Sequence, residues 1–543
     1  MKHTRPSAPC IAFLVCLLPL GGCFSERSFP MRQNEMVPHE SLCSPQSIRG
    51  LGARQWAAEV NCRLSKLLPD DGAPPLTTPD LRSASGRPIS VQSHFGVSQQ
   101  DTDDVLLNLS GLQYTAQVVP VVEPRGKFCD WPGFVRIGIP VGRGCVLSAV
   151  MAEPIGRDLG DSYIVLGHGL FGRQYGHDQH NVLSALRRMG HHAVGLEFRG
   201  HGMTETQQPE FPMTFGLDEA RDLIAVSDYL RSHYGAKWVG YFGYSLTSHS
   251  GLLASWIDSD RSLRERTDSP LYRDLPGLHP VPAFDAGMLL FSPAINLVEY
   301  GDSLDEPRSL IGSPVRAAFQ NRAAERLREK GKTRTGSFWM YVRQELERSH
   351  WMSEYRSFPD LVADATEMLD FTGPGWSRLR SVRAPVLIVQ SADDPVVGTA
   401  QAAVDLMAMT DNPNCGLIVL RDGGHAAFAA AEAAYFYNLM QAFFDPATGP
   451  GTVTPAATQA AFGIDDARAL WVTVETVWHN EKSYGCYLAM VQTLAATVSP
   501  QPLVVSVTPY VQELMQELVR PVPAAPEGPV TPIAIREVGK SQR

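Results

Sequence analysis

One serine of this sequence lies where a strand pattern changes into a helix pattern. Ser245 is the central residue of the pentapeptide GYSLT at 243–247, which follows the short apolar run at 237–242 and precedes a helical pattern that begins at Leu246. A serine at a sharp strand-to-helix turn exposes its hydroxyl above a helix N-terminus. This position favours Ser245 as a nucleophile over the alternative of a serine that only caps the helix.

An acid and a histidine follow two apolar runs nearer the C-terminus. The run at 384–390 leads into the letters SADDP, and the run at 416–420 leads into RDGGH. Ligand sites in open parallel sheets lie at the carboxyl ends of the strands. His425 is therefore predicted to act as general base, and one of the two aspartates is predicted to orient its imidazole.

A glycine-rich turn follows the apolar run at 163–166. Its letters are GHGLFG, at 167–172. Such a turn at the end of a strand can present backbone N–H groups to a ligand. If it forms an oxyanion hole, the predicted donors are the N–H groups of Leu170 and Leu246. His168 is expected to hold this turn through side-chain hydrogen bonds.

These motifs, in this order, resemble the alpha/beta-hydrolase superfamily over roughly 132–446. The segment EFRGHG at 197–202 belongs to the same pattern, and the DDP and GGH letters resemble the lipase/esterase branch. The resemblance implies an α/β fold, with a mostly parallel sheet flanked by helices and a helical cap inserted at about 296–371. In that fold the acid usually lies three residues after the first small residue beyond the strand. Counting from Ser391 favours Asp394, with Asp393 as the alternative.

Two residues depart from the pattern of that superfamily. Thr247 stands where glycine is usual, and Glu197 stands where aspartate is more frequent. The threonine adds branched bulk at a close contact, and overpacking of this kind costs about 1–3 kcal/mol. We expect either a wider turn around Ser245 or altered chemistry.

No cofactor motif accompanies these residues. The sequence has no zinc-binding HExxH pattern, no phosphate-binding loop with GK[ST], and no dinucleotide fingerprint after a first strand. The sequence therefore predicts neither a metal nor a cofactor. Acyl transfer through a serine needs none, because the side chains and backbone supply the nucleophile, the base and the oxyanion donors.

The N-terminus has the pattern of an export signal. A basic start precedes the apolar run at 11–20, which is shorter than the roughly 20 residues of a membrane-spanning helix. The run ends in the letters LGGC at Cys23, which resemble a bacterial lipobox. The resemblance implies cleavage before Cys23, lipidation of that cysteine, and a protein anchored in the bacterial cell envelope, facing the periplasm or the exterior. An ordinary signal peptide or an uncleaved anchor is the alternative.

The chain is predicted to have four parts. They are a signal peptide at 1–22, a tether and extension at 23–131, a hydrolase domain at 132–446, and a helical extension with a disordered tail at 447–543. Six cysteines follow Cys23, an even number that permits disulfides without defining their pairing. The net charge of −10 gives no sign of nucleic-acid binding, and the oligomeric state stays open.

The predicted function is hydrolysis of carboxylic esters, of a lipid or another acyl ester, through Ser245, Asp394 and His425. An acyltransferase would use the same residues and cannot be separated from a hydrolase by sequence. The alternative to an enzyme is a non-catalytic binding module or scaffold of the envelope with the same fold, because fold alone does not establish function.

Overall fold

A nine-stranded sheet forms the centre of the part of the chain that the computed structural model describes. That part comprises residues 48, 50–68, 73–83, 85–96, 131–171, 177–266, 268–305, 323–324, 326–328, 337–373, 376–394, 400–425 and 433–453. All of them lie in one compact unit, Met1–Ala467, and a second unit, Arg468–Arg543, lies outside the described residues.

The strands of the sheet are arranged in the order β1-β11-β10-β7-β6-β4-β5-β3-β2. Their bounds are β1 Leu76–Thr77, β2 Val135–Pro140, β3 Val146–Ala152, β4 Ser162–Leu166, β5 His192–Glu197, β6 Trp238–Tyr244, β7 Met288–Phe291, β10 Val386–Ser391 and β11 Cys415–Leu420. The six middle strands pair in parallel; they are β11, β10, β7, β6, β4 and β5. The outer strands β1, β2 and β3 run antiparallel to their neighbours. A separate pair, β8 Thr372–Gly373 and β9 Trp376–Ser377, is antiparallel. The mostly parallel sheet that the resemblance implies is confirmed.

Helices cover both faces of the sheet. Their bounds are α1 Ala53–Leu64, α2 Val91–Phe95, α3 His177–Met189, α4 Gly202–Gln207, α5 Glu219–Tyr234, α6 Leu246–Ile257, α7 Pro270–Arg273, α8 Leu297–Asp305, α9 Phe338–Arg348, α10 Trp351–Glu354, α11 Phe358–Leu369, α12 Gln401–Met409 and α13 Ala433–Phe444. The apolar side chains of α1, α3 and α13 pack on one face, and those of α5, α6 and α12 pack on the other.

The central strands are apolar on both faces because both faces are covered. In β10, Val386 and Ile388 belong to one apolar core, and Leu387 and Val389 belong to the other. This alternation follows from the two-residue period of a strand. A continuous apolar run is the pattern expected for a parallel strand that is buried on both sides. A polar loop follows the carboxyl end of this strand.

Residues before 132 contribute directly to the sheet. Strand β1 pairs antiparallel with β11, and Thr78 Oγ1 accepts a hydrogen bond of 2.7 Å from the Leu417 N–H. In α1, Trp56 is fully buried and its Nε1–H donates to the Thr448 carbonyl at 2.5 Å. The sheet therefore extends beyond the boundary at 132 that the sequence suggests.

Between β7 and β8, every regular element that the structure describes is a helix. These helices are α8, α9, α10 and α11, and the side chains of Phe338, Tyr341, Leu361 and Met368 are buried in the apolar core. The helical insertion that the resemblance implies is thus present at the predicted place. Its position between two neighbouring parallel strands puts it at the carboxyl edge of the sheet, where the polar loops lie.

Several predictions from the ends of the chain lie outside the described residues. They concern the signal peptide, Cys23, and the extension after 453. Within the described residues no helix is both long and apolar enough to cross a bilayer. Cys62, Cys145 and Cys415 form no disulfide among the described residues, and Cys43, Cys129 and Cys486 are not described.

Candidate active site

Ser245 lies at the turn between β6 and α6 in a strained backbone conformation. Its φ is 52° and its ψ is −119°. A positive φ is rare for a residue with a side chain, and such strain persists only where neighbouring contacts impose it. The Ser245 N–H donates to the Phe291 carbonyl of β7 at 2.9 Å, and the His249 N–H donates to the Ser245 carbonyl at 3.0 Å. These bonds fix the turn between the sheet and the helix.

The structure brings Ser245, His425 and Asp394 into one hydrogen-bonded chain. The distance from Ser245 Oγ to His425 Nε2 is 2.8 Å, and His425 Nδ1 lies 3.0 Å from Asp394 Oδ2 and 3.1 Å from Oδ1. A carboxylate only accepts hydrogen bonds, so Nδ1 carries the proton and Nε2 can accept from the serine hydroxyl. All three residues are at most 4% exposed.

The two neighbouring aspartates make different contacts. Asp394 contacts the imidazole, whereas Asp393 Oδ1 accepts a hydrogen bond of 2.8 Å from the Gly424 N–H. Burial raises the pKa of Asp393 to about 7. Ser391 Oγ donates to the Gly424 carbonyl at 2.7 Å. Asp393 and Ser391 thus fix the backbone immediately before His425, and Asp394 bonds its ring.

Gln390 is a member of the site that the sequence did not single out. Its Nε2 donates to Asp394 Oδ2 at 3.1 Å, and the residue is 2% exposed. A second donor on the carboxylate fixes its orientation toward His425. The signal in the sequence is the presence of an amide at the end of an otherwise apolar run, since a buried polar side chain there needs a polar partner.

The turn at 167–171 passes close to Ser245. A methyl group placed on Gly169 would lie 3.5 Å from Ser245 Cβ. Among the described residues, neither the Leu170 N–H nor the Leu246 N–H has a hydrogen-bond acceptor. Leu246 is the first residue of α6, whose N–H cannot be bonded within the helix. The turn at 167–171 and the start of α6 thus each contain an N–H group without an acceptor in the described part of the chain.

Thr247 is accommodated by a glycine on the neighbouring strand end. A methyl group on Gly167 would lie 2.6 Å from Thr247 Oγ1, so only glycine leaves room for the threonine. Thr247 Oγ1 also donates to the Tyr244 carbonyl at 3.1 Å, and Tyr241 Oη donates to the Thr247 carbonyl at 2.9 Å. The threonine side chain therefore fits into the turn without overpacking it. The hydrogen bond between Ser245 and His425 still forms.

Glu197, the second departure, stabilises the start of a helix. Its Oε2 accepts a hydrogen bond of 2.6 Å from the Met203 N–H in the first turn of α4. A carboxylate is favourable at a helix N-terminus, where N–H groups lack internal partners. Glu197 is fully buried, and this contact places it at the start of α4.

The histidines of the N-terminal half do not form a metal site in the part that is described. No group of three or more His, Cys, Asp or Glu side chains there is arranged to hold a metal ion. His191 instead hydrogen-bonds Ser162 Oγ at 2.9 Å, and burial lowers its pKa to about 4.

One protein family and several solved structures are similar to this chain. Residues 164–436, just over half of the chain, match the family described as the alpha/beta hydrolase family. An esterase from Pyrococcus furiosus has 14% sequence identity and a TM-score of 0.35, covering 59% of this chain and 94% of its own. A hyperthermophilic esterase from Pyrobaculum calidifontis has 13% identity and a TM-score of 0.34, covering 65% of this chain and 95% of its own. No curated protein matches the sequence.

Proposed function

This chain belongs to the alpha/beta hydrolase family, and on that premise we propose that it is a serine hydrolase that cleaves carboxylic esters. The catalytic residues in this proposal are Ser245, His425 and Asp394. The observation that carries it is the continuous hydrogen-bonded chain, with 2.8 Å between Ser245 Oγ and His425 Nε2 and 3.0 Å between His425 Nδ1 and Asp394. A nucleophile that is hydrogen-bonded to a base, with a third group that orients the base, is an arrangement that activates serine for acyl transfer.

The reaction follows from the direction of these hydrogen bonds. His425 Nε2 takes the hydroxyl proton as Ser245 Oγ attacks the ester carbonyl carbon, and the imidazolium forms next to the Asp394 carboxylate. The same proton then passes to the leaving alcohol as the C–O bond of the ester breaks. A water molecule, deprotonated by His425, attacks the acyl-enzyme and releases the carboxylic acid together with the free serine.

The oxyanion of each tetrahedral intermediate would be bound by the N–H groups of Leu170 and Leu246. Their lack of acceptors among the described residues supports this role. One such donor contributes about 3–4 kcal/mol to stabilisation of the transition state. The position of Gly169 against Ser245 Cβ supports the same assignment, because the turn must lie within contact distance of the reacting carbon.

Carboxylic esters are the proposed substrate class because the DDP and GGH motifs resemble the lipase/esterase branch. The proposal is tested with the protein lacking residues 1–22 and a series of p-nitrophenyl esters of increasing acyl length. We expect turnover by the wild type and none above background by Ser245→Ala. Ser255→Ala is the matched control, since this buried serine of α6 bonds only the Leu252 carbonyl, at 2.7 Å.

Other outcomes of this assay would identify the rival functions. Formation of a new ester on addition of an alcohol acceptor, faster than release of free acid, would indicate an acyltransferase. A folded wild-type protein that cleaves no ester, and that is indistinguishable from Ser245→Ala, would contradict the proposal and favour a binding module.

We also propose that the protein is anchored in the bacterial cell envelope through a lipid on Cys23. The support is the LGGC sequence after a basic start and an apolar run of limited length. We expect Cys23→Ser to move the protein from the membrane fraction to the soluble fraction, since the lipid supplies the membrane affinity. Replacement of Cys43 by serine is the control. Retention of the Cys23→Ser protein in washed membranes would contradict the assignment.

A further inference from the structure

Two loops lie side by side at the carboxyl edge of the sheet, and each contains a buried histidine. The oxyanion loop, residues 167–171, follows β4, and the supporting loop, residues 198–201, lies between β5 and α4. Strands β4 and β5 are parallel neighbours, so the loops leave the sheet in the same direction. His168 belongs to the first loop and His201 to the second, and they are 1% and 5% exposed.

His168 bonds its own loop through one ring nitrogen and the other loop through the second. Its Nδ1 lies 2.8 Å from the Gly169 carbonyl oxygen, and its Nε2 lies 3.3 Å from the Phe198 N–H nitrogen. A carbonyl only accepts and a peptide N–H only donates, so Nδ1 carries the proton and Nε2 is the acceptor. Burial lowers the pKa of His168 to about 4, which keeps the ring in this neutral form at physiological pH.

His201 makes the reciprocal pair of bonds. Its Nδ1 lies 3.0 Å from the Arg199 carbonyl oxygen in its own loop, and its Nε2 lies 3.2 Å from the Phe171 N–H nitrogen in the oxyanion loop. The same reasoning places the proton on Nδ1 and the acceptor lone pair on Nε2. Each histidine thus accepts one backbone N–H from the opposite loop, and the two ring centroids are 4.8 Å apart.

The oxyanion loop needs this support because its backbone is strained next to Leu170. Phe171 has a φ of 62°, a backbone conformation that is unfavourable for residues other than glycine. The Phe171 N–H accepted by His201 belongs to the residue directly after the proposed oxyanion donor. Without that bond, the strained backbone of Phe171 would be free to relax and Leu170 would shift with it. The Leu170 N–H itself lies in the same peptide plane as the Gly169 carbonyl, which His168 Nδ1 contacts at 2.8 Å.

The supporting loop is itself anchored by a buried ion pair. Arg199 bonds both carboxylate oxygens of Asp222 in α5, at 2.7 Å and 2.6 Å, and Asp218 at 3.1 Å. Bidentate pairing of this kind fixes orientation as well as distance. The ion pair thus fixes Arg199 against α5. The Arg199 carbonyl, which His201 contacts, is held in place with it.

We propose that His201 is a positioning residue for the oxyanion hole. Together with His168, which the sequence already places in the support of this turn, it sets the direction of the Leu170 N–H through reciprocal backbone hydrogen bonds. This inference rests on the proposed function. The two oxyanion donors differ in how they are fixed: the Leu246 N–H is placed by the turn at Ser245 and by α6, whereas the Leu170 N–H depends on the loop. A displacement of about 1 Å in such a group can cost about 100-fold in rate.

The test compares His201→Phe with His191→Phe in the protein lacking residues 1–22. His191 is also buried and makes a side-chain hydrogen bond, but it precedes β5, at the end of the strand remote from the site. The readouts are kcat and KM for a p-nitrophenyl ester, and the inhibition constant of a trifluoromethyl ketone, whose serine adduct places an oxyanion in the hole. Rates are corrected for the folded fraction by circular dichroism.

We expect His201→Phe to lower kcat by about 10- to 100-fold with little change in KM. The inhibition constant of the ketone should rise by a similar factor, because only the tetrahedral adduct uses the hole. His201→Gln, whose side-chain oxygen can still accept the Phe171 N–H, should recover part of the loss. His191→Phe should keep the wild-type kcat per folded molecule. If His201→Phe does not fold, the single variants His201→Gln and His168→Gln are each compared with His191→Gln by the same readouts.

Three results would overturn the inference. The first is a wild-type kcat for folded His201→Phe, and the second is an equal loss in His191→Phe, which would indicate a general effect of removing a buried histidine. The third is an increase in KM with unchanged kcat and ketone affinity. A wild-type protein as inert as Ser245→Ala would instead contradict the proposed function, and the inference would fall with it.

Discussion

At the scale of single residues, the chemistry of the site depends on which of two adjacent aspartates contacts His425. Asp394 does so, and Asp393 bonds the Gly424 N–H. We expect Asp394→Asn to lower kcat by about 10⁴-fold, because an amide favours the wrong tautomer of the histidine. The measurement is ester hydrolysis by purified variants whose folding is verified by circular dichroism.

Asp393→Asn is the matched control for that substitution. An asparagine oxygen can still accept the Gly424 N–H, and burial already raises the pKa of Asp393 to about 7, so a neutral side chain suits this position. We expect its kcat to stay close to the wild-type value. A loss of activity in Asp393→Asn together with normal activity in Asp394→Asn would reverse the assignment.

The sequence predicted the residue types of the site better than their contacts. Ser245, His425 and the turn at 167–172 were visible because each follows an apolar run. The preference for Asp394 rested on spacing alone, since both aspartates follow the same strand. The fit of Thr247 against Gly167 was not visible, because the two residues are separated by 80 positions and meet only when β4 and β6 pair.

At the scale of elements, a charged histidine links α5 to the end of α6. His279 Nδ1 lies 2.5 Å from Asp258 Oδ1, and Nε2 lies 2.9 Å from Asp228 Oδ1. Hydrogen bonds to Asp228 and Asp258 raise the pKa of His279 from 6.5 to about 9. The folded protein therefore binds this proton more tightly than the unfolded chain does.

This histidine predicts a pH-dependent contribution to stability. Because the folded pKa is raised, the contribution is fully present below pH 6.5 and is lost as the pH rises through about 9. We expect the difference in free energy of unfolding between the wild type and His279→Asn to be larger at pH 6 than at pH 9.5, measured by urea denaturation. His233→Asn, an exposed position on α5, is the control. A difference that stays constant with pH would contradict the ion-pair account.

The parallel strands could be predicted from the sequence, whereas β1 could not. Buried runs such as the one in β10 contain enough apolar residues to indicate a strand by themselves. Strand β1 has only two residues, and its existence depends on pairing with β11, which is distant in sequence. Short edge strands of this kind are defined by their partner rather than by their own composition.

At the scale of the whole molecule, the N-terminal segment is part of the folded hydrolase unit. Trp56 of α1 is fully buried, packs edge-on against Phe443 at 5.5 Å, and bonds the Thr448 carbonyl. We expect Trp56→Ala to lower the free energy of unfolding by about 3–5 kcal/mol, from lost burial and the remaining cavity. Urea denaturation of the protein lacking residues 1–22 measures this change.

Trp238→Ala is the control for Trp56→Ala. The Trp238 side chain is 48% exposed at the start of β6, and surface substitutions usually change stability by less than about 0.5 kcal/mol. Equal effects of the two substitutions would contradict the view that α1 is integral to the fold. That result would return the segment before 132 to the role of a separate extension.

The proposed function requires Ser245 to be an activated nucleophile. The most direct measurement is labelling of the purified protein, without residues 1–22, by a fluorophosphonate, with the modified peptide identified by mass spectrometry. We expect one label per molecule on Ser245, lost in Ser245→Ala and retained in Ser255→Ala. A folded protein that takes no label, or takes it on another serine while Ser245→Ala still reacts, would contradict the account.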